Sequence, residues 1–110
     1  MTEAQQVDVI ETSLDDWNPE GFPFLCNKLL DCSALDVNLA PMQMKKGRPG
    51  FRLTVVCRSV DAPALKELSL SETSAIGLRF RTEHRMTLPR EIVSVETRWG
   101  PVQAKQVMTP

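Results

Sequence analysis

Two kinds of periodicity alternate along this chain, and their order limits the folds that it can adopt. Strand-like segments, either β-branched or alternating between apolar and polar residues, occupy residues 7–12, 34–40, 51–57 and 76–81. Segments with helical spacing lie between the first and second strands and between the third and fourth. Two helices packed on one face of a mainly antiparallel sheet satisfy the order βαββαβ. The sequence therefore predicts an α+β fold, a ferredoxin-like βαββαβ sandwich.

Both predicted helices begin at residues that favour helix starts. Asn18 can cap free N–H groups, and Pro19 stands where no N–H is needed, so the first helix is predicted to begin there. The second helix is predicted over residues 61–70, with Asp61 as its cap and Leu65 facing the core. The apolar face of the first helix is predicted to comprise Phe22, Leu25, Cys26, Leu29 and Leu30.

The fourth strand is predicted to bury one face only. Ile76, Leu78 and Phe80 alternate with Arg79 and Arg81, so the two sets of side chains point to opposite sides of the sheet. We expect the apolar set to be buried and the other face of the sheet to carry cations.

A C-terminal β-hairpin is predicted to follow the sandwich. Val93 and Val95 repeat the alternation, and Trp99-Gly100-Pro101 makes a turn into residues 102–107. A chain of 110 residues fits one domain with one core, so residues 1–110 are predicted to form a single domain.

The net charge and the cysteine content favour neither nucleic acid, nor an anionic membrane, nor a metal cage built by this chain. Thirteen Lys and Arg against fourteen Asp and Glu give a net charge of -1, so the bulk charge favours neither nucleic acid nor an anionic membrane. No apolar run approaches the roughly 20 residues that cross a bilayer, and a cytoplasmic location is expected. Cys26, Cys32 and Cys57 are predicted to be reduced core cysteines, and with one His they offer no metal cage.

The connection between the second and third strands concentrates positive charge. Residues 43–50 contain Lys45, Lys46 and Arg48 together with glycines that let a backbone approach a ligand closely. Lysine supplies a point charge and arginine a planar fork, both of which suit phosphate oxygens. The spacing matches no general phosphate motif, so on spacing alone a solvated basic loop is the favoured interpretation.

Two acidic or polar turns are further candidates. Asp15 and Asp16 follow the first strand, where adjacent carboxylates can hold Mg²⁺ or Mn²⁺ if a triphosphate supplies the other oxygens. On these residues alone, a helix cap and an acidic first turn before a helix is the favoured interpretation. Glu72 and Thr73 precede the cationic strand and can either cap a turn or contact a ribose, with Arg79 nearby. No catalytic residue is assigned.

Taken in order, these segments resemble a known family. Glu-Thr-Ser-Leu-Asp-Asp-Trp, Pro-Met-Gln-Met-Lys-Lys-Gly-Arg-Pro-Gly, Ser-Glu-Thr-Ser-Ala-Ile-Gly-Leu-Arg and Thr-Leu-Pro-Arg occur in the order typical of the nickel-insertion proteins of lactate racemase maturation. The resemblance covers residues 9–105. Ser13 departs from it, because the family usually has Asn at that position.

The resemblance implies an enzyme activity and its ligands. Members of the family are CTP-dependent nickel chelatases, classed as lyases, which insert nickel into a pyridinium bis-thiocarboxylate mononucleotide to make the nickel-pincer cofactor. It implies that this chain binds CTP with Mn²⁺ or Mg²⁺, and that nickel is the substrate metal. Lys45, Lys46 and Arg48 would contact the triphosphate. Asp15 and Asp16 would hold the cation, and Glu72, Thr73 and Arg79 would complete the nucleotide site.

Full-length family members also carry a His-rich N-terminal domain, which this sequence lacks. We therefore expect the chain to be part of a longer protein, in which the N-terminal domain holds the pyridinium mononucleotide. A homo-oligomer is expected. The alternative is a ferredoxin-like ligand-binding or oligomerisation module without a catalytic role, in which the cationic loop is solvated or contacts another subunit.

Overall fold

The computed structural model describes the backbone of residues 3–97 and 100–107 and the side chains of residues 4–89. The described residues form six strands and two helices, which confirms the predicted α+β class. In chain order they are β1 Glu3–Asp15, α1 Phe22–Asp31, β2 Asp36–Gln43, β3 Pro49–Cys57, α2 Ala62–Ser71, β4 Arg79–Thr87, β5 Arg90–Thr97 and β6 Gly100–Val107.

The strands form two sheets. A four-stranded sheet has the order β2-β3-β1-β4, and β5 pairs with β6 in a separate two-stranded sheet. β3 is antiparallel both to β1 and to β2, and the β1–β3 register ends with Asp15 opposite Gly50. The chain divides into two compact units, one comprising residues 6–83 and the other residues 1–5 with 84–110. The first unit contains both helices and every candidate site residue.

The core of residues 6–83 lies between the helices and one face of the sheet. Both helices and the two central strands contribute buried side chains, because alternate residues of a strand point to the same face. In β1 the even-numbered residues from Ile10 to Leu14 are buried on the helix side. Glu11, Ser13 and Asp15 therefore point to the opposite face of the sheet. The core residues are Ile10, Leu14, Leu25, Leu29, Leu53, Val55, Cys57, Ala62 and Leu65.

The strands extend further than the sequence predicts. β1 continues through Asp15, and β2 and β3 extend into the predicted loop, which shrinks to residues 44–48. Pro41 lies inside β2 opposite Phe51. This is possible because β2 is an edge strand, and a proline there need not donate a hydrogen bond to a neighbour.

The predicted burial of the fourth strand's apolar face is wrong. β4 begins at Arg79, so Ile76 precedes it and is fully exposed. Phe80 is 60% exposed, and its ring lies beneath the Lys66 ammonium, 3.4 Å from Nζ to the ring centroid. Leu78 alone of the three packs against the core, and it is only partly buried. Arg79 and Arg81 both reach Glu11, as expected for side chains on one face.

Two helix-start predictions have different outcomes. Asn18 is a cap as predicted, with Oδ1 accepting a hydrogen bond from the Glu20 N–H at 3.0 Å, but it caps a 3₁₀ turn that precedes α1. Asp61 makes no side-chain cap. Its carboxylate instead accepts from Arg58 Nε at 2.9 Å. Cysteine burial also varies: Cys57 is buried as predicted, whereas Cys32 is exposed.

Candidate functional site

The turn between β2 and β3 presents three cations to solvent. Met44 N–H donates to the Arg48 carbonyl at 2.6 Å, and Gly47 N–H donates to the Met44 carbonyl at 3.1 Å. Lys46 and Gly47 both have positive φ, 62° and 72°, which closes the turn in the left-handed region. Lys45, Lys46 and Arg48 are consequently exposed on one five-residue turn. The Gly47 N–H is therefore already bonded to the Met44 carbonyl and is not free to donate to a phosphate.

Close packing fixes the base of this turn. A Cβ at Gly50 would lie 2.8 Å from the Leu14 carbonyl oxygen and closer still to the Met44 sulfur. A glycine at this position therefore lets Met44 lie directly against the backbone where β3 meets β1. The turn that carries Lys45 and Arg48 is thereby held beside the end of β1.

The end of β1 places a carboxylate next to this turn. Arg48 Nη2 lies 3.0 Å from Asp15 Oδ2, a contact that follows from the β1–β3 register. Asp15 Oδ1 is buried and has no hydrogen-bond partner among the residues that the structure describes. Asp16 follows with a φ of 54° and an exposed side chain. The predicted cation-binding and phosphate-binding residues Asp15 and Arg48 are thus in direct contact.

A cavity of about 380 Å³ opens beside the turn. We call it the turn cavity, and its lining residues are Ser13, Met42, Gln43, Met44, Lys45 and Arg48. Lysine and arginine supply positive charge on one side, whereas two methionines supply an apolar wall. Such a surface suits a polyanion attached to a less polar group.

The structure gives Glu72 and Thr73 partners near the end of α2. Glu72 Oε1 lies 2.9 Å from Lys28 Nζ. Thr73 Oγ1 donates to the Ser69 carbonyl at 2.7 Å and accepts from the Ala75 N–H at 3.2 Å. The following residue, Ser74, donates to the Asp15 carbonyl at 3.2 Å, so this turn contacts the end of β1.

Glu11 forms a second charged cluster on β1, one that was not predicted from the sequence. Arg81 Nη1 lies 3.1 Å from Glu11 Oε1, and Arg79 Nη2 lies 3.8 Å from Oε2. Hydrogen bonds to Glu83 and Glu11 raise the pKa of Arg81. Period-two spacing from Asp15 was the signal in the sequence, since residues 11, 13 and 15 share a strand face.

A second cavity lies at this cluster. It encloses about 280 Å³, and we call it the Glu11 cavity. Its lining residues are Glu11, Ser13, Ile76, Gly77, Leu78 and Arg79. Ser13 lines both cavities, so the two are neighbours on the same side of β1.

The donor set fits a divalent cation only when a ligand accompanies it. Within residues whose side chains are described, no group of three or more His, Cys, Asp and Glu side chains could hold a metal. Mg²⁺ and Mn²⁺ are bound through one or two carboxylates plus phosphate oxygens and water. The unpartnered Asp15 Oδ1 and the neighbouring Asp16 match that pattern, with cationic side chains beside them for phosphate. Across the same described range, no helix has the length and apolar character to span a membrane.

Comparisons with known proteins identify the family of this chain. The family model described as nickel insertion protein matches residues 1–110. A protein from Desulfotalea psychrophila (strain LSv54 / DSM 12343), described as a nickel insertion protein, is 57% identical over 105 residues, which cover 96% of this chain and 27% of the relative. The chain thus spans about a quarter of the length of the curated relatives that it matches.

Solved structures agree with this result. One is LarC2, described as the C-terminal domain of a cyclometallase involved in the synthesis of the NPN cofactor of lactate racemase, in its apo form. It matches at 40% identity with a TM-score of 0.85, covering 98% of this chain and 75% of that chain. A protein from Methanopyrus kandleri AV19 shares the fold, with 18% identity, a TM-score of 0.72 and coverage of 98% and 72%. This chain therefore belongs to the nickel insertion protein family.

Proposed function

We propose that residues 1–110 form one ferredoxin-like domain that binds CTP with Mn²⁺ or Mg²⁺. In this proposal the domain is part of a CTP-dependent nickel chelatase, a lyase that inserts nickel into the pyridinium bis-thiocarboxylate mononucleotide. The observation that carries the proposal is the contact between Asp15 and Arg48 beside Lys45. A metal–triphosphate complex carries both signs of charge, and this site offers both signs within one hydrogen-bond length.

Each side chain has a proposed task that follows from its chemistry. Lys45 and Lys46 neutralise phosphate charge, and Arg48 turns its guanidinium from Asp15 towards two phosphate oxygens. Asp15 and Asp16 then hold the cation directly or through water. The bound cation would withdraw charge from the phosphate oxygens that it contacts. Asp15 is therefore paired with a positive charge in both states, with Arg48 before the nucleotide binds and with the cation afterwards.

The remaining nucleotide contacts are proposed for Glu72, Thr73 and Arg79. Arg79 is 81% exposed at its side chain, so it can move towards a ligand at little cost. Glu72 and Thr73 would have to give up or share their contacts with Lys28 and Ser69. The pyridinium mononucleotide and nickel are assigned to the N-terminal domain, within a cytoplasmic homo-oligomer.

Calorimetric titration with CTP in the presence of Mn²⁺ tests this proposal. Lys45→Ala and Lys46→Ala should each weaken CTP binding by about tenfold or more, because a hydrogen bond to a charged group contributes about 1.5–3 kcal/mol. Arg58→Ala is the matched control, since Arg58 is an exposed cation paired to Asp61 and lines neither cavity. Absence of binding by both CTP and tripolyphosphate in Mn²⁺ would sink the proposal.

A second candidate function is a ligand-binding or oligomerisation module without a catalytic role. The observation that favours it is the position of β4 at a sheet edge, with Phe80 and Met86 60% and 67% exposed. Edge strands with exposed apolar side chains are suited to pairing with another chain. A pure assembly module should show the same mass and the same Tm with and without CTP and Mn²⁺. A ligand-linked rise in Tm instead supports nucleotide binding.

A further inference from the structure

The side chain of Met44 anchors the cationic turn, residues 44–48, to the sheet. Met44 begins the turn, with its N–H bonded to the Arg48 carbonyl at 2.6 Å, and its thioether occupies the space that a side chain at residue 50 would fill. Gly50 stands opposite Met42 on β2 and opposite Asp15 on β1. The thioether therefore lies over the point where both neighbouring strands meet β3.

This contact leaves no spare volume. A Cβ at Gly50 would lie 2.8 Å from the Leu14 carbonyl oxygen and closer still to Met44 Sδ, so both atoms border the same small space. In a closely packed region, one additional heavy atom must displace a neighbour. A carbonyl oxygen accepts hydrogen bonds and donates none, so an oxygen added to the sulfur would gain no hydrogen bond from Leu14.

Met44 is nevertheless within reach of solvent. It is partly buried, and it lines the turn cavity of about 380 Å³. Peroxides oxidise a thioether to a sulfoxide, which is polar and larger. Hydrogen peroxide transfers one oxygen atom in this reaction: an S–O bond forms, the O–O bond breaks, and the sulfur loses two electrons. The second oxygen of the peroxide leaves as water.

We propose that oxidation of Met44 to its sulfoxide releases the cationic turn and weakens the binding of polyphosphate ligands. This inference rests on the proposed function, because it names a regulation of the same site. Gly50 and Leu14 belong to β3 and β1, the two interior strands of the four-stranded sheet. Residues 44–48 form a turn outside the strand ladder, so the turn moves and the sheet does not. Arg48 and its neighbouring lysines then no longer lie beside Asp15.

Two other methionines lack this arrangement. Met42 lines the same cavity, but it belongs to β2, where pairing with β3 holds its backbone. Met86 is 67% exposed on β4 and lines neither cavity. Oxidation of either residue should therefore leave the cationic turn in place.

The test measures tripolyphosphate binding in Mn²⁺ by calorimetry, before and after the 110-residue chain is treated with hydrogen peroxide that is then removed. Peptide mass spectrometry reports the fraction of each methionine that has gained oxygen. The oxidised chain should bind about tenfold or more weakly, since the loss of one hydrogen bond between charged groups has about that effect. The fraction of affinity lost should follow the oxidation of Met44 and not that of Met42 or Met86.

Enzymatic reduction separates this effect from cysteine oxidation. Methionine sulfoxide reductases for both sulfur epimers, with dithiothreitol as the electron donor, return the sulfoxide to thioether and water and should restore the affinity. Dithiothreitol alone reduces disulfides and sulfenic acids, and it should not restore the affinity.

Three variants locate the effect at one residue. Met44→Leu removes the sulfur at a similar side-chain volume, so peroxide should leave the affinity of this variant at its own starting value. Met42→Leu and Met86→Leu keep Met44, so both should lose affinity as the unchanged chain does. The comparison of oxidised with enzymatically reduced protein needs no variant, so an unfolded Met44→Leu protein would not block the test.

Three outcomes overturn the inference alone. The first is unchanged tripolyphosphate affinity in a chain that is fully oxidised at Met44. The second is a Met44 that stays unoxidised after Met86 has reacted completely. The third is a folded Met44→Leu protein that loses affinity in peroxide as the unchanged chain does. Failure of the untreated chain to bind both tripolyphosphate and CTP would instead overturn the proposed function, and this inference with it.

Discussion

At the scale of single residues, the contact between Asp15 and Arg48 shows most about how the site works. Asp15 Oδ2 lies 3.0 Å from Arg48 Nη2, so Arg48 must give up this contact before both edges of its guanidinium can meet phosphate oxygens, whereas Asp15 Oδ1 has no partner among the described residues. Because the pair is partly exposed, it contributes at most about 1 kcal/mol and can be exchanged readily. The cation that displaces Arg48 from Asp15 also releases Arg48 for phosphate, so cation and anion should bind cooperatively.

The first prediction concerns this coupling. Asp15→Asn removes the negative charge that holds Arg48, so metal-free tripolyphosphate should bind up to about fivefold more tightly. The same change removes one of the two proposed cation ligands, so Mn²⁺ should strengthen binding less than it does in the unchanged chain. Calorimetry with and without Mn²⁺ measures both effects. Asp61→Asn, which breaks the comparable pair with Arg58, is the control and should change neither. An undiminished Mn²⁺ effect in Asp15→Asn would contradict the coupling.

The second prediction concerns Cys57. Burial chiefly, and the charges of Asp8 and Asp61 in addition, raise the pKa of its thiol above the ordinary value of 9.0. Between the two pKa values the folded state keeps the thiol proton that the unfolded state loses. The contribution of Cys57 to the free energy of unfolding is therefore fully present below about pH 9 and is lost as the pH rises through the raised pKa. Urea unfolding from pH 7 to pH 10.5 measures this decline. Cys57→Ala should reduce it, while Cys32→Ala at an exposed position should not.

At the scale of elements, the helix interiors and the central strands could be predicted from the sequence. Which elements cover which strand face could not. Leu25 and Leu65 follow helical spacing and are buried, because a stripe of apolar residues must face a core. Alternation at Ile76 and Phe80 was equally clear, yet both are exposed. Period-two spacing shows that two side chains share a face and does not show whether another layer covers that face.

The candidate site illustrates the same limit. Lys45, Lys46 and Arg48 could be grouped from sequence because they lie within four consecutive residues. The pairing of Arg48 with Asp15 depends on the β1–β3 register, which joins residues 33 positions apart. The Glu11 cavity depends on contacts of the same kind. The residue types of the site could therefore be predicted from the sequence, whereas their spatial arrangement depends on strand pairing.

The third prediction tests the packing that holds the cationic turn. Gly50→Ala should lower the free energy of unfolding by about 1–3 kcal/mol, the usual cost of overpacking, because the new methyl group would press on Met44 and on the Leu14 carbonyl. Gly77→Ala is the matched control, since a Cβ there has open space, and it should change stability by less than about 0.5 kcal/mol. Adding Met44→Ala to Gly50→Ala should restore only part of the loss. Equal stability of the two glycine variants would refute this packing argument.

At the scale of the whole molecule, a near-neutral chain concentrates opposite charges locally. The net charge is -1, so long-range attraction for a nucleotide is absent, and recognition must come from contacts within the site. The chain spans about a quarter of its curated relatives, which is consistent with a division of labour in the proposed chelatase. Nucleotide binding would belong to this part and nickel chemistry to the remainder.

The fourth prediction concerns the independence of residues 6–83. Among residues 4–89, whose side chains are described, the nine residues of the buried core cluster all lie between Ile10 and Leu65, within this unit, whereas an isolated two-stranded hairpin is marginally stable in water. A chain ending at Pro89 should therefore retain a single cooperative urea transition. Trp17 packs against the core and would be the sole tryptophan left, so its fluorescence reports the unfolding directly. The 110-residue chain with Trp99→Phe is the control, because it also keeps Trp17 as its sole tryptophan. If the shortened chain, measured without urea, shows the same Trp17 emission as the control unfolded in urea, the core needs the hairpin.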